Sequence, residues 1–232
     1  MAPSDPLTQI DPVVRPTIAD QVFDALYARV LSLDLPPLTK LSEAEVARQM
    51  GVSRQPVRDA FYRLSKLGFL IIQPQRATTV SQISARDVSR ARFIRSTIEI
   101  RIVRRASGGL ADDDIAALER ILSDQLGALE ADERARFHRL DDAFHQRICE
   151  AADLGFAWDV IRETRAHTDR VRYLSLGTGS RRAYEDHRRI LDSIIARDAD
   201  GAERALDDHL AQIDKIVAGL RARNPTWFSE EE

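Results

Sequence analysis

Asp141, His145, His187 and His209 are the residues of this chain whose types and spacing are best suited to chemistry. Each falls on the apolar side of a predicted helix, where an ionisable or imidazole side chain costs free energy unless something satisfies it. Asp141 and His145 are four apart, so one helical turn sets them side by side. Phe137, Leu140, Phe144 and Ile148 flank them. His187 precedes Ile190, Leu191 and Ile194 at helical spacing, and His209 is in line with Ala202, Ala205, Leu206, Ile213 and Ile216. Three imidazoles and a carboxylate are donors that zinc, nickel, manganese or iron accept, zinc first among them, with one or two coordination positions left open. A shared divalent ion would answer for all four residues at once; four separately satisfied core side chains are the alternative. His138 is about 10 Å from His145 along the helix axis, too far to share an ion. His167 lacks an apolar line. Cys149, one turn beyond His145, is either a soft ligand or, better, a small buried side chain.

A second constellation is Val52-Ser53-Arg54-Gln55-Pro56-Val57-Arg58. Ser53 is a good N-cap, and Pro56 is tolerated in a first helical turn, which has no intrahelical N–H bond to lose. Arg54 and Gln55 then stand at the tip of a helix that fits the major groove, where Arg reads guanine and Gln reads adenine bidentately. Arg58, one turn on, reaches a base or a phosphate. Arg76, at a predicted hairpin tip, reaches along a groove or to the DNA backbone. A merely solvated arginine face is the alternative for each residue taken singly.

The elements that must position these residues follow from periodicity. Residues 1–15 contain Pro3, Pro6 and Pro12 and read as a mobile arm. Apolar residues at helical spacing predict a helix over 18–33, stopped by Pro36-Pro37. A short helix follows Ser42, with Glu45 completing a capping box, and Gly51 ends it. The third helix buries Val57, Ala60, Phe61 and Leu64. Phe69–Gln73 and Thr78–Ile83 are β-prone runs around a tip at 74–77. Three helices and a hairpin over 16–83 make a winged helix-turn-helix. From 84 to 222 the pattern is helical throughout, with spans near 84–106, 112–130, 132–152, 156–175, 180–197 and 199–222, which predicts an all-α antiparallel bundle. Residues 223–232 read as a flexible tail. The expected fold class is thus mainly α.

Bulk properties agree with two domains in 232 residues, 44% hydrophobic and 31% charged. No apolar run approaches the ~20 residues of a membrane span. Met1-Ala2-Pro3-Ser4-Asp5-Pro6 does not look like a secretory signal. One cysteine excludes an internal disulfide framework and fits a reducing compartment, so the expected location is cytoplasmic. The net charge of −3 hides an asymmetry: residues 40–80 hold seven basic against three acidic side chains. That local basic surface suits phosphates.

These motifs carry a family resemblance. Leu41-Ser42-Glu43, Val46-Ala47 and Gly51 through Ala60, with Leu64 and Gly68, resemble the DNA-binding domain of GntR-type bacterial transcription regulators over about residues 16–83. The resemblance implies Ser53, Arg54, Gln55 and Arg58 as operator contacts. Leu38, Ala44 and Ala77 depart from the pattern; Ala44 removes a commonly basic contact, so operator sequence does not carry over. Asp141-Asp142-Ala143-Phe144-His145, Glu185-Asp186-His187 and Asp208-His209-Leu210 resemble the FadR-type ligand-binding (FCD) domain over about 88–216. Asp153-Leu154-Gly155 departs from its usual turn. In the metal-binding branch of that family the Asp and three His hold a divalent ion, with small carboxylic acids beside it. Arg95 and Glu99 match an Arg…Glu pair there. Arg95 is the expected effector contact; an exposed salt bridge to Glu99 is its alternative.

The leading expectation is a homodimeric DNA-binding regulator that reads a pseudo-palindromic operator and responds to a small carboxylic acid beside a divalent metal. Repression relieved by effector is the behaviour the resemblance implies. Two rivals remain: a sensor in which the ion itself is the signal, and a metal-dependent hydrolase. Against the latter, Asp142 points about 100° away from Asp141 on its helix, leaving no general base beside the site.

Overall fold

The structure is a computed structural model, and it describes residues 16–73, 77–175 and 179–230. Helix α1 (Ile18–Leu31) starts at Thr17, whose hydroxyl accepts from Asp20 N while the Asp20 carboxylate accepts from Thr17 N, a capping box. Its apolar line Val22, Leu26 and Val30 is fully buried. Strand β1 (Lys40–Leu41) leads to α2 (Glu43–Met50), which stops at Gly51, where φ is 67° and a side chain would be strained. Helix α3 (Arg54–Lys66) follows and buries Val57, Ala60, Phe61 and Leu64 against α1. Strands β2 (Leu70–Ile71) and β3 (Thr78–Val80) complete an antiparallel sheet of order β1-β3-β2, with Lys40 opposite Thr79 and Leu70 opposite Val80.

Helices α4 (Ala85–Ala106), α5 (Asp112–Glu130), α6 (Arg134–Ala151), α7 (Phe156–Thr164), α8 (Ala166–Ser175), α9 (Ser180–Ile195) and α10 (Ala199–Arg223) make up the rest. Leu118, Leu122, Phe144, Ile190, Leu191, Ile194 and Leu206 form their dry centre. Arg92 bonds Asp214 at 2.8 Å and Arg104 bonds Asp200 at 2.7 Å, so α4 and α10 run antiparallel along one side.

Four details differ from the sequence expectation. The two-residue strand β1 is too short for periodicity to detect. Ser42 and Ser53 have the extended backbone of N-caps, but neither makes a side-chain cap bond. The single helix expected over 156–175 is two, because the chain turns at Arg165. That side chain is 1% exposed, ion-pairs with Asp142 and Asp169, and lies over the Trp158 ring at 5.3 Å. The tail expected to be mobile from 223 instead forms a 3₁₀ turn (Pro225–Trp227). Phe228, 3% exposed, then bridges Ile83 and packs with Val88, Val171 and Ile213. An apolar residue that can bury itself outweighs the turn signal at Asn224-Pro225.

Candidate metal centre, ligand cavity and DNA-facing helix

Helix α6 carries Asp141 and His145, α9 carries His187 and α10 carries His209, and all four side chains are buried. One ligand atom from each lies within 4.8 Å of every other. The three imidazole rings are 4.7 to 5.3 Å apart, centre to centre. His187 Nε2 is 3.5 Å from Asp141 Oδ1.

The surrounding oxygens orient the rings. His145 Nδ1 lies 2.7 Å from Glu99 Oε2 and His187 Nδ1 lies 2.9 Å from Gln125 Oε1. His209 Nδ1 faces Asp186 Oδ2 at 3.7 Å, beyond a normal hydrogen bond. An Nδ1–H donated to oxygen leaves the Nε2 lone pair free, which is the arrangement of metal-ligating histidines. His145 Nε2, His187 Nε2 and Asp141 Oδ1 are buried with no hydrogen-bond partner, and Asp141 Oδ2 meets the Arg172 guanidinium. Orphaned acceptors are costly in a core, and these are the donor types a divalent transition metal takes. The residues present therefore fit such an ion.

Electrostatics favour the ligating protonation states. Burial pushes His187 well below the ordinary imidazole value and pushes His209 below it too, so both rings are neutral. Burial opposes ionisation of Asp141, but the Arg172 guanidinium holds its carboxyl well below the usual range. Glu99 is likewise held low against burial by Arg95 and His145.

Asp141 and His209 also line a cavity of about 310 Å³, within the size range of small-ligand sites. Six cations, Arg92, Arg95, Arg172, Arg182, Lys215 and Arg223, line it against two carboxylates, Asp141 and Asp186. The salt bridge of Arg95 to Glu99 exists at 2.6 Å, but it is buried rather than exposed, and Arg95 Nη2 has no partner. Sequence reasoning missed Arg172, whose guanidinium contacts Asp141, and the orienting residues Gln125 and Asp186. Gln125 had a signal: it continues the apolar line Leu118, Leu122 on α5 and is fully buried, the same anomaly that singled out the histidines.

At the other end of the molecule Ser53, Arg54, Gln55 and Arg58 are all exposed at the start of α3. Gln55 bonds Asp59 at 2.9 Å, and Arg58 reaches Glu43 on α2 at 3.3 Å. Both contacts are exposed and therefore weak enough to exchange for DNA. Arg76 lies outside the described residues.

Helix α8 touches both halves. Arg172 and Thr168 line the cavity, while Arg170 Nη1 donates to Ser81 O at 2.8 Å and the His167 ring packs on Phe69 at 5.8 Å. No helix among the described residues is long and apolar enough to cross a membrane.

Comparison with known proteins gives the family. Residues 18–80 match the model of bacterial regulatory proteins, gntR family, and residues 90–212 match the FCD domain. The chain is 38% identical over 226 residues to the HTH-type transcriptional repressor RspR of Escherichia coli K12, covering 97% of this chain and 98% of that protein. It is 29% identical over 200 residues to the probable D-xylose utilization operon transcriptional repressor of Paenarthrobacter nicotinovorans, covering 82% and 84%. The solved structure of E. coli McbR/YncC superposes with a TM-score of 0.72 at 22% identity, covering 88% of this chain and 98% of that one, which supports the shared fold. The chain belongs to the GntR family of DNA-binding bacterial transcription regulators, in the group that carries an FCD domain, and is not an enzyme.

Proposed function

We propose that the protein is a repressor that binds a pseudo-palindromic operator as a homodimer and is controlled by a small carboxylic acid bound beside a divalent metal. One observation carries the regulatory half: one ligand atom each from Asp141, His145, His187 and His209, on three helices, converge beside an arginine-lined cavity, and the buried Nε2 atoms of His145 and His187 have no hydrogen-bond partner. Asp141, His145, His187 and His209 hold the ion, with zinc first among the candidates and nickel, manganese and iron behind it. When bound, it supplies Lewis-acid attraction for an anionic ligand group. Arg95 and Arg172 supply guanidinium N–H donors for the same group.

Ser53, Arg54, Gln55 and Arg58 make the operator contacts, with Arg76 reaching from the wing. Two copies of α3, held by a dimer, read the two half-sites. The effector acts by binding unequally to two placements of the DNA-binding domains, and α8, which reaches both the cavity and the Ser81 region, is the physical link.

The test is selection of duplexes from a random pool with the full-length protein, followed by binding measurements on the enriched sequence. An Arg54→Ala, Arg58→Ala variant that stays folded is expected to lose sequence preference, each lost base contact costing about 1–3 kcal/mol. Undiminished specificity in that variant overturns the DNA-reading assignment. Chelation followed by zinc return separates the roles of the ion: a change in DNA affinity with no organic acid present makes the ion itself the signal.

A further inference from the structure

The cavity has two cationic ends. Its inner end is Arg95 and Arg172, where Arg95 Nη2 and Arg172 Nη1 are buried without hydrogen-bond partners. Its outer end lies further along α10, where Lys215 and Arg223 flank Gly219 at successive turns. Lys215 and Arg223 pair with no carboxylate among the described residues, whereas Arg92, Arg95, Arg172 and Arg182 all do. The rest of the wall is mixed: Phe137, Ala183, Ile213 and Ile216 are apolar, and Thr168, Ser175, Ser180 and Gln212 are polar.

The antiparallel ion pairs of α4 and α10 fix the spacing. Arg92 is level with Asp214, so Arg95, one turn further in, is level with Leu210 beside His209. From Leu210 to Lys215 the helix rises about 7.5 Å at ~1.5 Å per residue. A volume of about 310 Å³ holds on the order of ten non-hydrogen atoms if each takes the ~30 Å³ of a water. A single small carboxylate satisfies the inner end and leaves the outer cations idle.

We propose that the effector is a two-headed anion, a short dicarboxylate whose first head sits on Arg95 and Arg172 and whose second sits on Lys215 and Arg223. This rests on the carboxylate reading of the cavity and narrows it. Lys215 and Arg223 act as specificity determinants: they discriminate by head-group count, not by chemistry at the inner end.

The test is calorimetric titration of the zinc-loaded full-length protein with glutarate, adipate and pimelate, and with pentanoate, hexanoate and heptanoate as single-headed matches. At least one diacid is expected to bind ten or more times tighter than its match. That preference is expected to vanish in a Lys215→Ala, Arg223→Ala variant, which is expected to lose at least ten times more affinity for the preferred diacid than for its single-headed match. Equal binding of diacids and monoacids, or a preference that survives the double substitution, overturns the two-headed assignment and leaves the carboxylate reading standing. If no acid of either series binds, both fall together.

Discussion

Arg172 lies against Oδ2 of Asp141, the same carboxylate whose Oδ1 is 3.5 Å from His187 Nε2. A guanidinium and a metal ion bound at this site would therefore compete for one buried anion. Arg172 is anchored elsewhere only loosely, by a 3.9 Å approach to Asp169. An ion held by Asp141 and the three imidazoles would free the Arg172 N–H groups for the cavity.

Replacing Arg172 by Gln removes the competitor and one ligand donor together. Zinc affinity is expected to rise about tenfold, or ~1.4 kcal/mol, in competition with a chromophoric chelator. Carboxylate affinity is expected to fall by about 1.5–3 kcal/mol, the usual value of a hydrogen bond to a charged group. The metal-free variant should also unfold more easily, because Asp141 then keeps a buried charge without its cation. Opposite movement of the two affinities is the signature; a parallel loss of both would sink the competition.

How much of this was legible in the sequence depends on how local the signal is. The buried line Val57, Ala60, Phe61 and Leu64 and the four residues of the candidate metal centre each declare themselves by position on their own helix, and the structure brings those four together. Arg172 does not. It shares α8 with Arg170, and only tertiary packing sends one guanidinium to Asp141 and the other to Ser81. The break at Arg165 was hidden for the same reason: no Pro or Gly marks it, and the buried Arg165 guanidinium there pairs with the half-buried Asp142, a residue 23 positions away. The docking of Phe228 on Ile83 depends on a contact across most of the chain, which no local window reports.

Acid should weaken the metal-free fold through the same imidazoles. His187 and His209 have folded values below the ordinary 6.5, with burial as the first cause. The unfolded chain then binds protons first as the pH drops. The neutral rings' contribution is fully present above about pH 6.5 and is lost as the pH falls through their folded values. Asp141, held below 3.8, adds a loss only at still lower pH. Chelated protein should melt at progressively lower temperature between about pH 7 and pH 5. A His187→Gln, His209→Gln variant should show a flatter profile. Zinc-loaded protein should fall more steeply over the same window, because protonation also expels the ion. Identical profiles for the chelated wild type and the variant would remove the imidazoles as the cause.

Arg170 is the least comfortable charge at the junction between the DNA-binding and helical parts. It is 2% exposed, its Nη1 donates to the Ser81 carbonyl, and its Nε and Nη2 have no hydrogen-bond partner among the described residues. Burial alone pushes its pKa down to about 10. A flexible apolar replacement avoids that desolvation, so Arg170→Met is expected to raise the unfolding free energy by about 1–4 kcal/mol. If α8 transmits the effector signal through this contact, the same variant should bind effector normally yet change its operator affinity less on binding. Calorimetry and operator titration on one preparation read both quantities. A variant less stable than wild type would mean that the Ser81 bond outweighs the buried charge.

Gly68 and His167 offer the most direct handle on the junction. Gly68 has φ of 78°, and a Cβ there would come within 2.8 Å of His167 Cε1. The ring cannot simply swing aside, because it packs on Phe69 at 5.8 Å between centres. Gly68→Ala therefore carries two costs: about 1–2 kcal/mol for the left-handed backbone, and a steric term that depends on His167. In a His167→Ala background the steric term disappears and only the backbone cost remains. The two substitutions should be non-additive by about 0.5–3 kcal/mol, the range for residues in direct contact. Chemical denaturation of the four proteins closes the cycle. A coupling near zero would place His167 out of reach of Gly68 in solution, and with it the close approach of α8 to the helix-turn-helix core.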